Sequence, residues 1–185
     1  SLGNNSNEAL QQFGELGLVT QFSGEANVDG LLKRIRNAFE RWIQFTVSCS
    51  IKNGFVLVDG SLTAGTPDNP TKELERILET ARRNLNVIIA ISKKTKLRIH
   101  DQSITNLVDP TTEPCLFDVD EEVTEQFPVY PVRFLGRVFV GKLAKSAFTF
   151  RIDVDREIPI HAATREICEL IGTDIVDQGY PETLR

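Results

Sequence analysis

Two short, unbroken apolar runs, Phe55-Val56-Leu57-Val58 and Val87-Ile88-Ile89-Ala90-Ile91, stand on either side of one amphipathic stretch. Each run is too short for a typical helix and lacks polar alternation, so each reads as a strand buried on both faces. Between them, Leu74, Ile77, Leu78, Ala81 and Leu85 recur at helical spacing. Asn69-Pro70 has the chemistry of a helix N-cap followed by proline at the first helical position. Strand, helix and strand at this length make a βαβ unit, with parallel strands and a right-handed crossover. The fold class is therefore α/β.

The flanking sequence extends this unit. Leu32, Ile35, Phe39, Trp42, Ile43 and Thr46 share helical spacing and predict a helix over 29–47 with that stripe facing the core. Asn53-Gly54 is a turn. Residues 100–128 carry Asp118, Asp120, Glu121, Glu122 and Glu125 and read as an irregular, solvated excursion. Arg133–Leu143 and Ala147–Val154 read as strands joined by a hairpin at Lys142–Ser146. Pro159 opens a last helix, with Ile160, Ala163, Ile167 and Leu170 on one face and Gly172 as its stop. Residues 1–28 are polar and read as a poorly ordered or linker segment, so the domain is expected over 29–185.

Bulk properties narrow the function. No apolar run approaches the roughly 18 residues that span a bilayer, and Ser1–Gln12 lacks a signal-peptide layout, so a cytoplasmic protein without membrane contact is expected. A net charge of -5 argues against a general cationic sheath for nucleic acid but leaves room for a local basic groove beside acidic metal ligands. Cys49, Cys115 and Cys168 are odd in number and far apart, which predicts three reduced, mostly buried thiols rather than disulfides or zinc ligands. The chain opens Ser1-Leu2-Gly3 and holds no Met, so its natural start is expected to lie elsewhere.

Chemistry concentrates at the strand ends. Asp59 terminates the first apolar run, at the carboxyl edge where open α/β sheets place their ligands, and a carboxylate there suits a hard cation. The plain alternative is a structural turn of the Asx type. Glu40 lies on the preceding helix and either shares a metal with Asp59 or forms only a surface pair with Arg36. Lys93, Lys94, Lys96 and Arg98 fall within six residues after the second strand and suit phosphate contacts, if they are more than a solvated loop. His100 and His161 belong to no nucleophile motif, and Gly60 and Gly65 lack the Gly-Lys-Ser/Thr of a phosphate-binding loop.

Val58-Asp59-Gly60-Ser61-Leu62, then a helix, then Ile91-Ser92-Lys93-Lys94-Thr95, resembles the central signature of the NurA nucleases. Gly179-Tyr180-Pro181-Glu182-Thr183-Leu184 resembles that family's C-terminal motif, and the likeness runs in the family's order over about residues 30–185. The resemblance implies an RNase H-like mixed sheet flanked by helices and cleavage of DNA with a divalent metal, Mn2+ before Mg2+. It also implies 5′–3′ exonuclease and single-strand endonuclease activity in double-strand break resection, beside a HerA-like ATPase. It assigns metal binding to Glu40 and Asp59, catalysis to Glu40, Asp59, Lys93 and Tyr180, and DNA contact to Lys93, Lys94, Lys96 and Arg98.

The sequence departs from the family at both ends of the motif series. The early Asp-Gly-Ser strand of the family core has no counterpart, since Asp29-Gly30 opens a helix, and no His follows Tyr180-Pro181 within the chain. Two matched carboxylates fall short of a set that fixes two ions about 3.5–4 Å apart. These residues alone are thus expected to cleave little or no DNA, while the parent protein is expected to be Mn2+-dependent. The edge exposed by the missing strand is expected to be covered by Ser1–Val28, a second copy of the chain or another partner. The alternatives are a non-catalytic RNase H-like module that binds an ATPase or DNA, and a small-molecule phosphohydrolase using Asp59.

Overall fold

A computed structural model of the chain describes residues 28–66, 69–109, 111, 113–125, 132–145, 147–174, 180, 181 and 184. Residues 1–27, expected to be poorly ordered or a linker, lie outside this set, as do Gly179, Glu182 and Thr183 of the C-terminal motif.

The βαβ unit forms as its apolar pattern predicts. Strand β1 (Phe55–Asp59) leads through the short β2 (Thr63–Ala64) to a helix over Thr71–Arg83 and back along β3 (Val87–Ser92). β1 and β3 are parallel, with Asp59 level with Ile91. β4 (Arg98–Ile99), β5 (Gln102–Ser103), β6 (Cys115–Asp118), β7 (Arg133–Phe134), β8 (Gly136–Lys142) and β9 (Thr149–Asp155) follow. The main sheet has the order β1-β3-β9-β8-β6, and every pair in it except β1–β3 is antiparallel. The β8–β9 hairpin is the one read from the sequence.

Helices cover both faces of this mixed sheet. The helices are α1 (Val28–Ser50), α2 (Thr71–Arg83), α3 (Asp120–Glu125) and α4 (Ile160–Asp174). On one face Val56, Val58, Ile88 and Ala90 meet Leu74, Ile77, Leu78 and Ala81 of α2. On the other, Ile89, Ile91, Ile152 and Val154 meet Ala163 and Ile167 of α4, together with Tyr180. β3 is thus buried on both faces, as predicted. β1 is not: it is an edge strand among the described residues, and Phe55 and Asp59 are exposed. Among the described residues, no helix is long and apolar enough to cross a membrane.

Several expectations are corrected. The stretch 100–128 is not an irregular solvated excursion. It holds β6, which pairs with β8, and α3, and its Ile104, Val108, Val119 and Val123 form a third core with Val138 and Val140. Its acids misled because Asp120 is buried and takes two hydrogen bonds from Arg156, while Asp118 pairs with Arg137. The apolar stripe of α1 does not face the core: Leu32, Ile35, Phe39 and Ile43 are 59%, 37%, 48% and 52% exposed. Ala38, Phe45 and Val47 pack inward instead, on the side from which Asn84 and Asn86 each donate to the Ser48 carbonyl and Arg41 reaches Asn69.

Leu85 lies beyond α2 in a left-handed conformation, φ 57°, and is exposed rather than part of the helical stripe. That turn delivers the buried Asn86, whose side chain donates to the Ile51 carbonyl and accepts from Gly54 N–H, pinning the α1–β1 connection. The last helix runs past Gly172. The cysteines are free, but Cys49 and Cys168 are exposed rather than buried, since they lie on outward turns of α1 and α4.

Candidate functional site

The parallel pairing of β1 and β3 brings the end of one strand beside the end of the other. Gly60 turns the chain sharply with φ 139°, a value that L side chains rarely adopt. Its N–H donates to the Ile91 carbonyl at 3.1 Å, and Ser92 Oγ donates to the Gly60 carbonyl. The loop carrying Asp59 is therefore tied to the segment carrying Lys93.

Asp59 lines one cavity and is hydrogen-bonded to Tyr180, which lines a second. The first, about 160 Å³, is lined by Asp59, Gly60 and Ser61 from the end of β1, by Glu40, Arg41 and Gln44 from α1, and by Asn69. Glu40 and Asp59 thus share one cavity. Glu40 also makes the plain surface contact foreseen for it, lying 3.5 Å from Arg36 with both side chains largely exposed. Arg41 is half-buried beside it and is held by Gln44 Oε1 at 2.8 Å and Asn69 Oδ1 at 2.7 Å. Burial lowers the Arg41 pKa, and the charges of Glu40 and Glu73 oppose that shift.

The second contact of Asp59 comes from the far end of the chain. Tyr180 Oη donates to Asp59 Oδ1 at 3.0 Å across 121 positions of sequence. The Tyr180 ring is buried, tilted by 51° against Phe150 with centroids 5.4 Å apart, and the Lys93 ammonium sits 3.9 Å from its centroid. Burial, reinforced by the hydrogen bond to Asp59 and its charge, pushes the Tyr180 phenol far above its ordinary value, so it stays a donor.

A larger cavity, about 420 Å³, opens on the other side of Tyr180 and is lined by Lys93, Thr105, Asn106, Phe148, Thr149, Phe150 and Tyr180. Lys94, Lys96 and Arg98 are exposed and line neither cavity, so of the basic run only Lys93 turns into the site. His100 and His161 are exposed, in keeping with surface roles.

The oxygens around Asp59 are of hard character: two carboxylates and the Ser61 hydroxyl, with the amide oxygens of Gln44 and Asn69 already accepting from Arg41. Such a set fits a hard divalent ion rather than zinc. It stops at two carboxylates, and among the described residues no group of three or more His, Cys, Asp or Glu is placed to hold a metal.

Sequence reasoning missed three members of the site. Asn69 does not cap α2; Pro70 occupies that place without a side-chain bond, and the Asn69 amide bridges Arg41 and the Thr63 carbonyl. Arg41 was overlooked although it neighbours Glu40. Phe150 carried no signal, because an aromatic in a strand reads as core. Compared with protein-family models, curated proteins and solved structures, the chain gives no match.

Proposed function

We propose that the chain carries the core of a metal-dependent DNA nuclease of the NurA type, on an RNase H-like fold, working with a HerA-like ATPase in the resection of double-strand breaks. The observation behind this reading is the meeting of Glu40, Asp59, Lys93 and Tyr180. They come from four separate parts of the sequence, and the Tyr180–Asp59 hydrogen bond and Lys93–Tyr180 contact link three of them while Glu40 shares the cavity of Asp59. The outer edge of β1, which bears no strand among the described residues, is where the family's first strand would sit.

Glu40 and Asp59 would hold the divalent ion, Mn2+ or Mg2+. When bound, such an ion lowers the pKa of a coordinated water and neutralises charge on a phosphate. Tyr180 holds Asp59 in orientation through Oδ1, a positioning role of the kind that outer groups play around metal ligands. Lys93 offers a fixed positive charge where a pentavalent phosphate gathers negative charge. The test is Mn2+-dependent, EDTA-sensitive cleavage of linear DNA by the protein, lost on Asp59→Ala. Cleavage that survives Asp59→Ala overturns the reading.

The presence of Arg41 in the cavity favours a second reading, a non-catalytic module of the same fold that binds an ATPase or DNA. A guanidinium beside two carboxylates neutralises charge a metal would otherwise claim. Calorimetry with Mn2+ separates the two: heat of binding that vanishes in Asp59→Asn supports the nuclease, and no heat supports the module.

A further inference from the structure

The 420 Å³ cavity beyond Tyr180 has a composition the metal chemistry does not call on. Its size falls within the range of small-ligand sites. It carries the Lys93 ammonium, which sits over the ring of Tyr180, the residue that donates to Asp59. Aromatic rings form much of the remainder: Tyr180 and Phe150, packed against each other, and Phe148, which leaves 66% of its surface in solvent just before β9 begins. The 3-10 turn Ile104–Asn106 contributes Thr105 and Asn106 to the same cavity. This turn is fixed, since Gln102 donates to the Asn106 carbonyl at 2.8 Å and Ser103 and Thr105 share a hydrogen bond at 3.0 Å.

A cation, an exposed ring and a neutral amide and hydroxyls lining one cavity make a set that matches a nucleotide. The cation meets the phosphate, the ring stacks on the base, and the amide and hydroxyls can exchange hydrogen bonds with the base edge. A base inside a duplex has both faces stacked and its pairing edge occupied, so it cannot enter.

We propose that this cavity is a nucleobase subsite that takes one unpaired base of a single-stranded DNA, stacked on Phe148, with the adjoining phosphate directed past Lys93 toward Asp59. The subsite rests on the nuclease reading for its biological substrate, but its chemistry can be tested without cleavage.

The experiment measures binding of a fluorescein-labelled oligothymidylate, and of a duplex of equal length, in EDTA by anisotropy. The expected result is single-strand affinity above duplex affinity, reduced about 5- to 100-fold by Phe148→Ala. The salt dependence should be unchanged in Phe148→Ala, which leaves every phosphate-facing cation in place, and shallower in Lys93→Gln. Phe148→Trp should retain the affinity and gain emission that the strand quenches, which separates a missing stacking partner from a disturbed fold. Unchanged single-strand affinity in Phe148→Ala, in a protein that cleaves DNA, overturns the subsite and leaves the nuclease reading standing. Phe148-dependent binding in a protein that never cleaves supports the subsite and overturns the nuclease reading. Absence of any oligonucleotide binding overturns the subsite.

Discussion

Tyr180 reaches back across 121 positions to donate its phenolic hydrogen to Asp59, 3.0 Å away, while its ring carries the Lys93 ammonium. Tyr180→Phe keeps both ring contacts and removes only the hydroxyl. We expect a stability loss of about 1 kcal/mol in urea denaturation, because Asp59 is exposed and water replaces part of the bond. If Asp59 binds Mn2+, the same change should weaken it by about 10- to 100-fold, as removal of an orienting partner does. A large stability loss with unaltered metal affinity would make the contact purely structural.

The raised Tyr180 phenol gives a pH prediction. Its folded pKa lies above the ordinary value of 10.0, so the folded state holds the proton more tightly than the unfolded chain. Stability is therefore fully present below about pH 10 and falls as pH rises beyond it. The chain has two tyrosines, so a Tyr130→Phe background isolates the signal. In that background phenolate absorbance should appear only together with unfolding. A reversible titration near pH 10 in folded protein would contradict the buried hydrogen bond.

If Glu40 and Asp59 bind a metal as proposed, Asp59→Asn and Glu40→Gln should each reduce Mn2+ affinity by more than about 100-fold, since each removes a ligand charge rather than an orienting group. Arg41→Gln should strengthen Mn2+ binding by relieving the competing positive charge. Calorimetry reads all three. Tighter binding in Glu40→Gln than in the parent chain would show that Glu40 serves only its pair with Arg36.

Lys94, Lys96 and Arg98 remain candidates for DNA contact outside the two cavities. Neutralising each should flatten the dependence of log affinity on log salt by about 0.7–0.9 for every phosphate that the side chain had neutralised. A slope equal to that of the parent chain after the triple change would assign the run to solvent.

Beneath the site, Arg151 donates twice to the fully buried Asp153, which also accepts from Leu62 N–H at 2.8 Å. Asp153→Ala strands a buried guanidinium and should cost about 3–5 kcal/mol, whereas Arg151→Met combined with Asp153→Leu should cost much less. Chemical denaturation of the two variants decides it; equal losses would show that packing, not charge, governs this layer.

The α/β class, the parallel pairing of β1 with β3, the hairpin of β8 and β9 and the place of Asp59 at a strand end were legible in the sequence. Each depends on periodicity or on residues near one another along the chain, and apolar spacing reports local structure directly. The orientation of α1 was not. Leu32, Ile35, Phe39 and Ile43 fix a helix of that period, but which side meets the sheet is set by Asn84 and Asn86 gripping the Ser48 carbonyl from the other end of the βαβ unit. The acids of 100–128 were misjudged for a similar reason. A carboxylate is costly to bury only while unpaired, and Arg156, the partner of Asp120, lies 36 positions away. Only the tertiary structure decides such pairings, because the free energy of a charged or aromatic side chain depends on its neighbours in space. The convergence of Asp59, Lys93, Phe150 and Tyr180 is of that kind: the sequence supplied Asp59, Lys93 and Tyr180 as residues of interest, and packing of Tyr180 on the β3–β9 face brought them together.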